Sequence, residues 1–247
     1  MKNSDICLLS IVPMRAEPSE RSEMVSQLLF GERFAIIEQT EKWLRVRSKI
    51  DGYEGWISSN MVRRDLSDNF LTKVVCSPYV VYAVENRQIH LPGGSLLPVT
   101  IEQTSFRLAD ETYTFHSGIT QPENGRLTAF AMQYLGAPYL WGGKTIFGID
   151  CSGLVQIVCR MAGHWLPRDA NQQALSGYDV PPDIACADDL AFFSDDNGKV
   201  THVGILCNQN SIIHASGYVR IDRFDNQGIF NETENRYTHR LHSIRRL

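Results

Sequence analysis

"FGIDCSGLVQIVCR", residues 147–160, decides how the second half of the chain folds. Cys151, Leu154, Val155, Val158 and Cys159 recur at helical spacing, Ala162 continues the stripe, and Gly163 supplies a stop. Asp150 stands where an N-cap belongs, which places Cys151 in the first turn of the expected helix. Unpaired backbone N–H groups and the positive end of the helix dipole favour a thiolate there. The helix alone does not separate a nucleophile from a buried structural thiol. A nucleophile also needs a base to take its proton.

Working outward, "RLTAFAMQYLG" (126–136) sets Leu127, Phe130, Ala131, Tyr134 and Leu135 on one helical face, with Gly136 to end it. After residue 187 the pattern turns to β, and Asn197-Gly198 is a strong hairpin signal. Helices followed by antiparallel strands predict an α+β domain. Seven histidines occur, at 90, 116, 164, 202, 214, 239 and 242, and two of them lie on the strands "THVGIL" and "SIIHAS" of one predicted hairpin. A tight odd-length loop centred on Asn208 sets His202 directly opposite His214, with both rings on one sheet face. One imidazole then faces the thiol and the second holds the first, the arrangement of nucleophile, base and orienting residue. A surface histidine beside a core histidine is the alternative.

Residues 1–64 read as all-β. Trp43, Arg45 and Arg47 alternate with Leu44 and Val46, and turn signals fall at Gly31, Glu41-Lys42 and Asp51-Gly52. Short strands so spaced predict a small barrel. "IEQT" recurs at 37–40 and 101–104, each time after an apolar strand, so residues 65–118 are expected to be a second, degraded copy. The polar "HSGITQPEN" (116–124) is the expected linker, and the third domain is expected at 119–247. The segment Ile6–Val12 reads as a first strand and not as a leader, which implies a cytoplasmic protein.

With 247 residues, 43% of them hydrophobic, the chain can bury a substantial core. A net charge of −4 and no dense Lys/Arg run argue against nucleic acid and anionic membranes as partners. The six cysteines form no CxxC pair and no zinc-like spacing, so most are expected to be buried thiols. "SDDNGK" (194–199) lacks the remaining ligands of a calcium loop, and neither a metal nor a cofactor is expected.

"DCSGLVQ", "HVGI" and "IIHASG", with "APYLWGG" before the cysteine and "LPRDANQQ" after it, resemble the NlpC family of papain-like cysteine peptidases, which act on bacterial cell-wall peptides. The likeness covers residues 124–247, and the β modules before it resemble bacterial SH3-like barrels. It implies a papain-like domain behind two SH3-like barrels, with Cys151 as nucleophile, His202 as base and His214 as orienting residue. The subgroup with paired barrels and a "PRD" motif looks like the γ-D-glutamyl–diamino-acid endopeptidases of peptidoglycan recycling. Those enzymes cleave after L-Ala-γ-D-Glu when the L-Ala amine is free. On that likeness Asp169 binds the ammonium; capping "ANQQAL" is its other role, and the two are compatible. The likeness implies that the first barrel closes the pocket; Glu17 offers it a second carboxylate and Tyr53 a hydroxyl, with a solvated loop acid and a barrel-core aromatic as the alternatives. Arg168 meets a substrate carboxylate or forms a surface ion pair. Tyr139 matches a tyrosine that lies near the nucleophile in relatives, with a core aromatic as the alternative, and Ser152 offers a hydroxyl to the same end of the pocket. The Cys151 N–H helps hold the oxyanion, and Cys159 belongs to the core. Two positions depart from the pattern. Asp188 stands where relatives commonly have glycine, in "GDL", and Ala170 where many have serine. Two other readings stay open: a wall-fragment binding module with an inert papain-like domain, and an acyltransferase using the same cysteine.

Overall fold

The structure, a computed structural model, describes residues 5–62, 73–98, 105–108, 110–117 and 125–247. The second "IEQT", most of the expected linker and both sequence-drawn domain boundaries lie outside the described residues. The chain divides into two compact units, 1–123 and 124–247.

In the first unit, alternation makes the strands. Along β5 (Trp43–Ser48) Leu44, Val46 and Ser48 are buried while Arg45 and Arg47 point outward to Glu54 on β6 (Glu54–Ser58). With β1 (Asp5–Ile6), β2 (Ile11–Arg15), β3 (Met24–Leu29) and β4 (Arg33–Gln39) they form a six-stranded sheet ordered β1-β4-β5-β6-β2-β3. Val12, Met14, Leu28, Phe34, Leu44, Val46 and Ile57 fill its core. The expected single strand at Ile6–Val12 is instead split between β1 and β2 by a bend at Leu9-Ser10. Two further sheets follow. One pairs β7 (Lys73–Val74) with β10 (Leu96–Leu97). The other orders β8 (Tyr79–Val84), β9 (Arg87–Pro92), β11 (Ser105–Leu108) and β12 (Glu111–Ser117) as β11-β12-β8-β9. Phe106 and Tyr113 stack at 4.8 Å in a core that also takes in Ile6, Leu8 and Phe30 from the first segment.

The second unit begins with α1 (Leu127–Met132), then a small ribbon of β13 (Lys144–Thr145) and β14 (Gly148–Ile149). Next come α2 (Cys151–Met161), α3 (Ala170–Gln173) and the short β15 (Tyr178–Asp179). The strands β16 (Leu190–Ser194), β17 (Val200–Asn208), β18 (Ser211–Ser216), β19 (Tyr218–Asp225), β20 (Gly228–Asn231) and β21 (Arg236–Arg246) run antiparallel in sequence order. Because β20 also pairs with β21, they close into a barrel. Ala191, Phe193, Leu206, Ile212, Phe224, Ile229 and Ile244 pack together as its core. The helices α1, α2 and α3 all pack on β17, and every residue of α2 is buried. Among the described residues no helix is long and apolar enough to cross a membrane.

Candidate active site

Asp150 builds the nucleophile end of the site. Its carboxylate is buried and accepts from the Gly153 N–H at 2.7 Å, capping α2, and from the Gly142 N–H at 2.8 Å, fixing the Trp141-Gly142-Gly143 turn. Arg168 completes it, with Nη2 2.5 Å from Oδ2 and Nη1 3.1 Å from Oδ1. One aspartate thus ties the turn before the cysteine, the start of its helix and the segment after it. The packing there is close: a Cβ on Gly153 would fall 2.2 Å from the Gly143 carbonyl oxygen.

This corrects two expectations. Arg168 is 2% exposed and pairs with Asp150, so it is neither a receptor for a substrate carboxylate nor a surface ion pair. The Ser152 hydroxyl accepts from Arg168 Nη1 at 2.7 Å and lies 3.3 Å from Asp150 Oδ1, which makes it part of the same buried cluster. Asp169 occupies the N-cap position of α3, but its side chain makes no cap hydrogen bond, against the capping alternative. Tyr139 is half-buried near the thiol. Burial, the cysteine and Asp150 push its hydroxyl up to about 12. In the first unit Glu17 is exposed beside Ser22, whose hydroxyl accepts its N–H, and Tyr53 packs on the barrel core. Cys159 is fully buried in α2.

The histidines meet, by a register different from the expected one. The turn is two residues, Gln209-Asn210, between the paired Asn208 and Ser211, and Gly204 is the residue opposite His214. A two-residue turn with an unbroken ladder would pair His214 with Ile205 and turn the two imidazoles to opposite faces. The register shift between Leu206 and Asn208 leaves Cys207 as an extra residue in β17 and restores the parity. His202 and His214 therefore sit diagonally on one face, with His202 Nε2 and His214 Nδ1 2.8 Å apart. Gly204 makes this approach possible, since a Cβ there would come within 2.9 Å of the His214 Cβ. Beyond Gly204 the ladder to β18 has ended. There the Val203 backbone N–H meets the Cys151 thiol. The thiol thus meets β17 at the residue next to His202.

Three further residues join the cluster without having been expected. His239, on β21, stacks on His202 with ring centroids 4.1 Å apart and planes at 30°. Asp222, on β19, places Oδ2 3.1 Å from His214 Nε2, and Arg220 donates to that same oxygen at 2.9 Å. The pair on β19 had a sequence signal. A hairpin turning on Gly217 sets Arg220 opposite His214 and Asp222 opposite Ile212. His239 had none, because barrel closure brings it in from the far end of the chain.

Burial governs the resting charges. Desolvation, then the Asp150 carboxylate, raise the Cys151 thiol to about 12, against the Val203 and Ser152 N–H groups and Arg168, which favour the thiolate. Cys151 is only 6% exposed. Desolvation, with His239, His214 and Arg220, likewise holds His202 well below its usual range. Both shifts favour the neutral thiol and the neutral imidazole. Among the described residues no group of His, Cys, Asp and Glu is placed to hold a metal ion.

Comparison with known proteins agrees with this architecture. Residues 136–242 match the NlpC/P60 family, and residues 14–61 match the bacterial dipeptidyl-peptidase SH3 domain. A γ-D-glutamyl-L-lysine dipeptidyl-peptidase of Bacillus subtilis is 28% identical over 77% of this chain and 71% of its own length. Dipeptidyl-peptidase 6 of Lysinibacillus sphaericus is 27% identical over 90% of this chain and 92% of its own. The crystal structure of an NlpC/P60 family protein from Bacillus cereus shares the fold, with a TM-score of 0.82 at 19% identity over 98% of this chain and 99% of that one.

Proposed function

We infer the activity from a plain premise: this chain is an NlpC/P60 peptidase that carries a bacterial dipeptidyl-peptidase SH3 domain. It is a cysteine endopeptidase that hydrolyses the amide between γ-D-Glu and a diamino acid in peptidoglycan-derived peptides with a free N-terminal L-Ala. The observation that carries the reading is the 2.8 Å His202–His214 contact beside the helix that begins at Cys151. The name of the Bacillus subtilis relative, matched over most of the chain, supports the choice of a γ-D-glutamyl bond.

In the first step the Cys151 sulfur attacks the γ-carbonyl carbon while its proton passes to His202. The C–N bond then breaks, and His202 gives that proton to the departing amine of the diamino acid. The Cys151 N–H, at the start of α2, stabilises the oxyanion. In the second step water attacks the thioester with His202 as base, releasing L-Ala-D-Glu and restoring the thiol. Asp169 holds the substrate ammonium. The role is recycling of wall peptides in the cytoplasm.

Mass spectrometry of L-Ala-γ-D-Glu-meso-diaminopimelate incubated with wild type and with Cys151→Ala tests this, beside an N-acetylated peptide and one ending in L-Lys. Cleavage by wild type alone, and of free amines alone, is the expected outcome. Turnover of the acetylated peptide would reassign the protein as a general wall endopeptidase. Binding without turnover would leave the inert binding module as the better reading, and transfer of the dipeptide to an added amine would mark an acyltransferase.

A further inference from the structure

We propose that Asp222 is a positioning residue that fixes the tautomers of both imidazoles and so leaves His202 Nδ1 as the basic nitrogen. The inference deepens the peptidase reading and rests on it for its kinetic consequence. An ionised carboxylate only accepts hydrogen bonds. Asp222 Oδ2 takes one from Arg220 Nε at 2.9 Å, lies 2.9 Å from the Arg220 Nη2 of the same ion pair, and is 3.1 Å from His214 Nε2. Burial works against its ionisation, but His214 and Arg220 outweigh it and keep the carboxyl below its usual range.

His214 Nε2 must therefore carry the proton. In a neutral ring its Nδ1 is then a bare acceptor, and the 2.8 Å contact obliges His202 Nε2 to be the donor. The neutral His202 ring has one nitrogen left without a proton, Nδ1. When the thiol proton moves there, His202 becomes an imidazolium whose Nε2–H still points at His214 Nδ1, so no hydrogen bond has to be remade. Arg220 matters because it withholds Asp222 from taking the His214 proton. The ring of His214 is itself fully buried, which shuts out water as a substitute partner. Without Asp222 the His214 ring can place its proton on Nδ1, and His202 can then hold its own on Nδ1, where it blocks the base.

Ring 15N NMR of the whole protein reads the tautomers directly, with His202→Gln and His214→Gln variants assigning the signals. The expected wild-type spectrum has both rings neutral with the proton on Nε2. Asp222→Ala is expected to move His214 partly to the Nδ1–H form and to lower kcat on the γ-D-Glu peptide on the order of 10²-fold or more, with KM little changed. Asp222→Asn, whose amide oxygen still accepts from Nε2–H, is expected to restore much of the loss. A wild-type His214 protonated on Nδ1 or on both nitrogens would overturn the proposal. So would an Asp222→Ala protein with unchanged tautomers and kcat. If wild type fails to cleave the peptide, the substrate assignment falls, while the spectra still decide the relay.

Discussion

At the scale of the residue, Asp188 shows how a departure from a sequence pattern is accommodated. Its φ is +76°, in the left-handed region that favours glycine. The side chain compensates: Oδ1 accepts from the Thr128 N–H at 2.8 Å, one of the free N–H groups at the start of α1, and Oδ2 from the Arg126 side-chain Nε at 2.9 Å. Asp188→Ala keeps the strain and loses both bonds, and we expect a loss of about 1–2 kcal/mol in urea unfolding. Asp188→Gly relieves the strain as it loses the bonds, and is expected to be near neutral. Arg168 carries a larger effect. Replacing it with Met leaves the Asp150 carboxylate buried without its cation, and denaturant unfolding should show a loss of about 3–5 kcal/mol. The place of Cys151 at the start of α2 and its Asp150 cap were legible because capping and helical spacing are local. The burial of Arg168 was not: "PRD" reads as a polar surface loop until α2 and the Gly142 turn are folded around it.

At the scale of the element, the site depends on one hairpin. The sequence placed His202 and His214 on a common face for an incorrect reason, an odd loop that does not exist. The real turn is even, and the extra residue at Cys207 restores the parity. Loop length and bulge shift register by one residue each, so pattern alone could not separate the two solutions. Gly204 opposite His214 is the second requirement of the hairpin. Gly204→Val is expected to drive the His214 ring off His202, lowering kcat on the γ-D-Glu peptide by at least on the order of 10²-fold while circular dichroism retains the β signal. Unchanged kcat would show that the diagonal contact is dispensable.

At the scale of the whole molecule, barrel closure gathers ionisable groups that sequence separates widely. His239 reaches His202 only because β21 pairs with both β16 and β20. Burial, with His214 and Arg220, lowers its pKa to about 4, and His202 is depressed as well. The unfolded chain takes up protons on both rings near pH 6.5, whereas the folded protein does not. Their contribution to stability is therefore complete above about pH 6.5 and declines as the pH falls toward 4. Melting temperatures recorded between pH 7.5 and 4.5 should fall with acidification, and His239→Leu should fall less steeply. The carboxylates held low by their partners, Asp222 and Asp188 among them, act at lower pH, because their unfolded values lie near 3.8. The antiparallel character of this unit followed from strand pattern and turn signals. Its closure did not, because the β20–β21 pairing and the shifts within it have no local signature.

In the proposed mechanism Cys151 carries the acyl group. Acid-quenched wild-type enzyme, mixed with L-Ala-γ-D-Glu-meso-diaminopimelate and digested for peptide mass spectrometry, tests it most directly. The expected result is a transient L-Ala-γ-D-Glu thioester on the peptide containing Cys151, absent from Cys151→Ala. Turnover by Cys151→Ala, or an adduct on another residue of the active wild type, would contradict it.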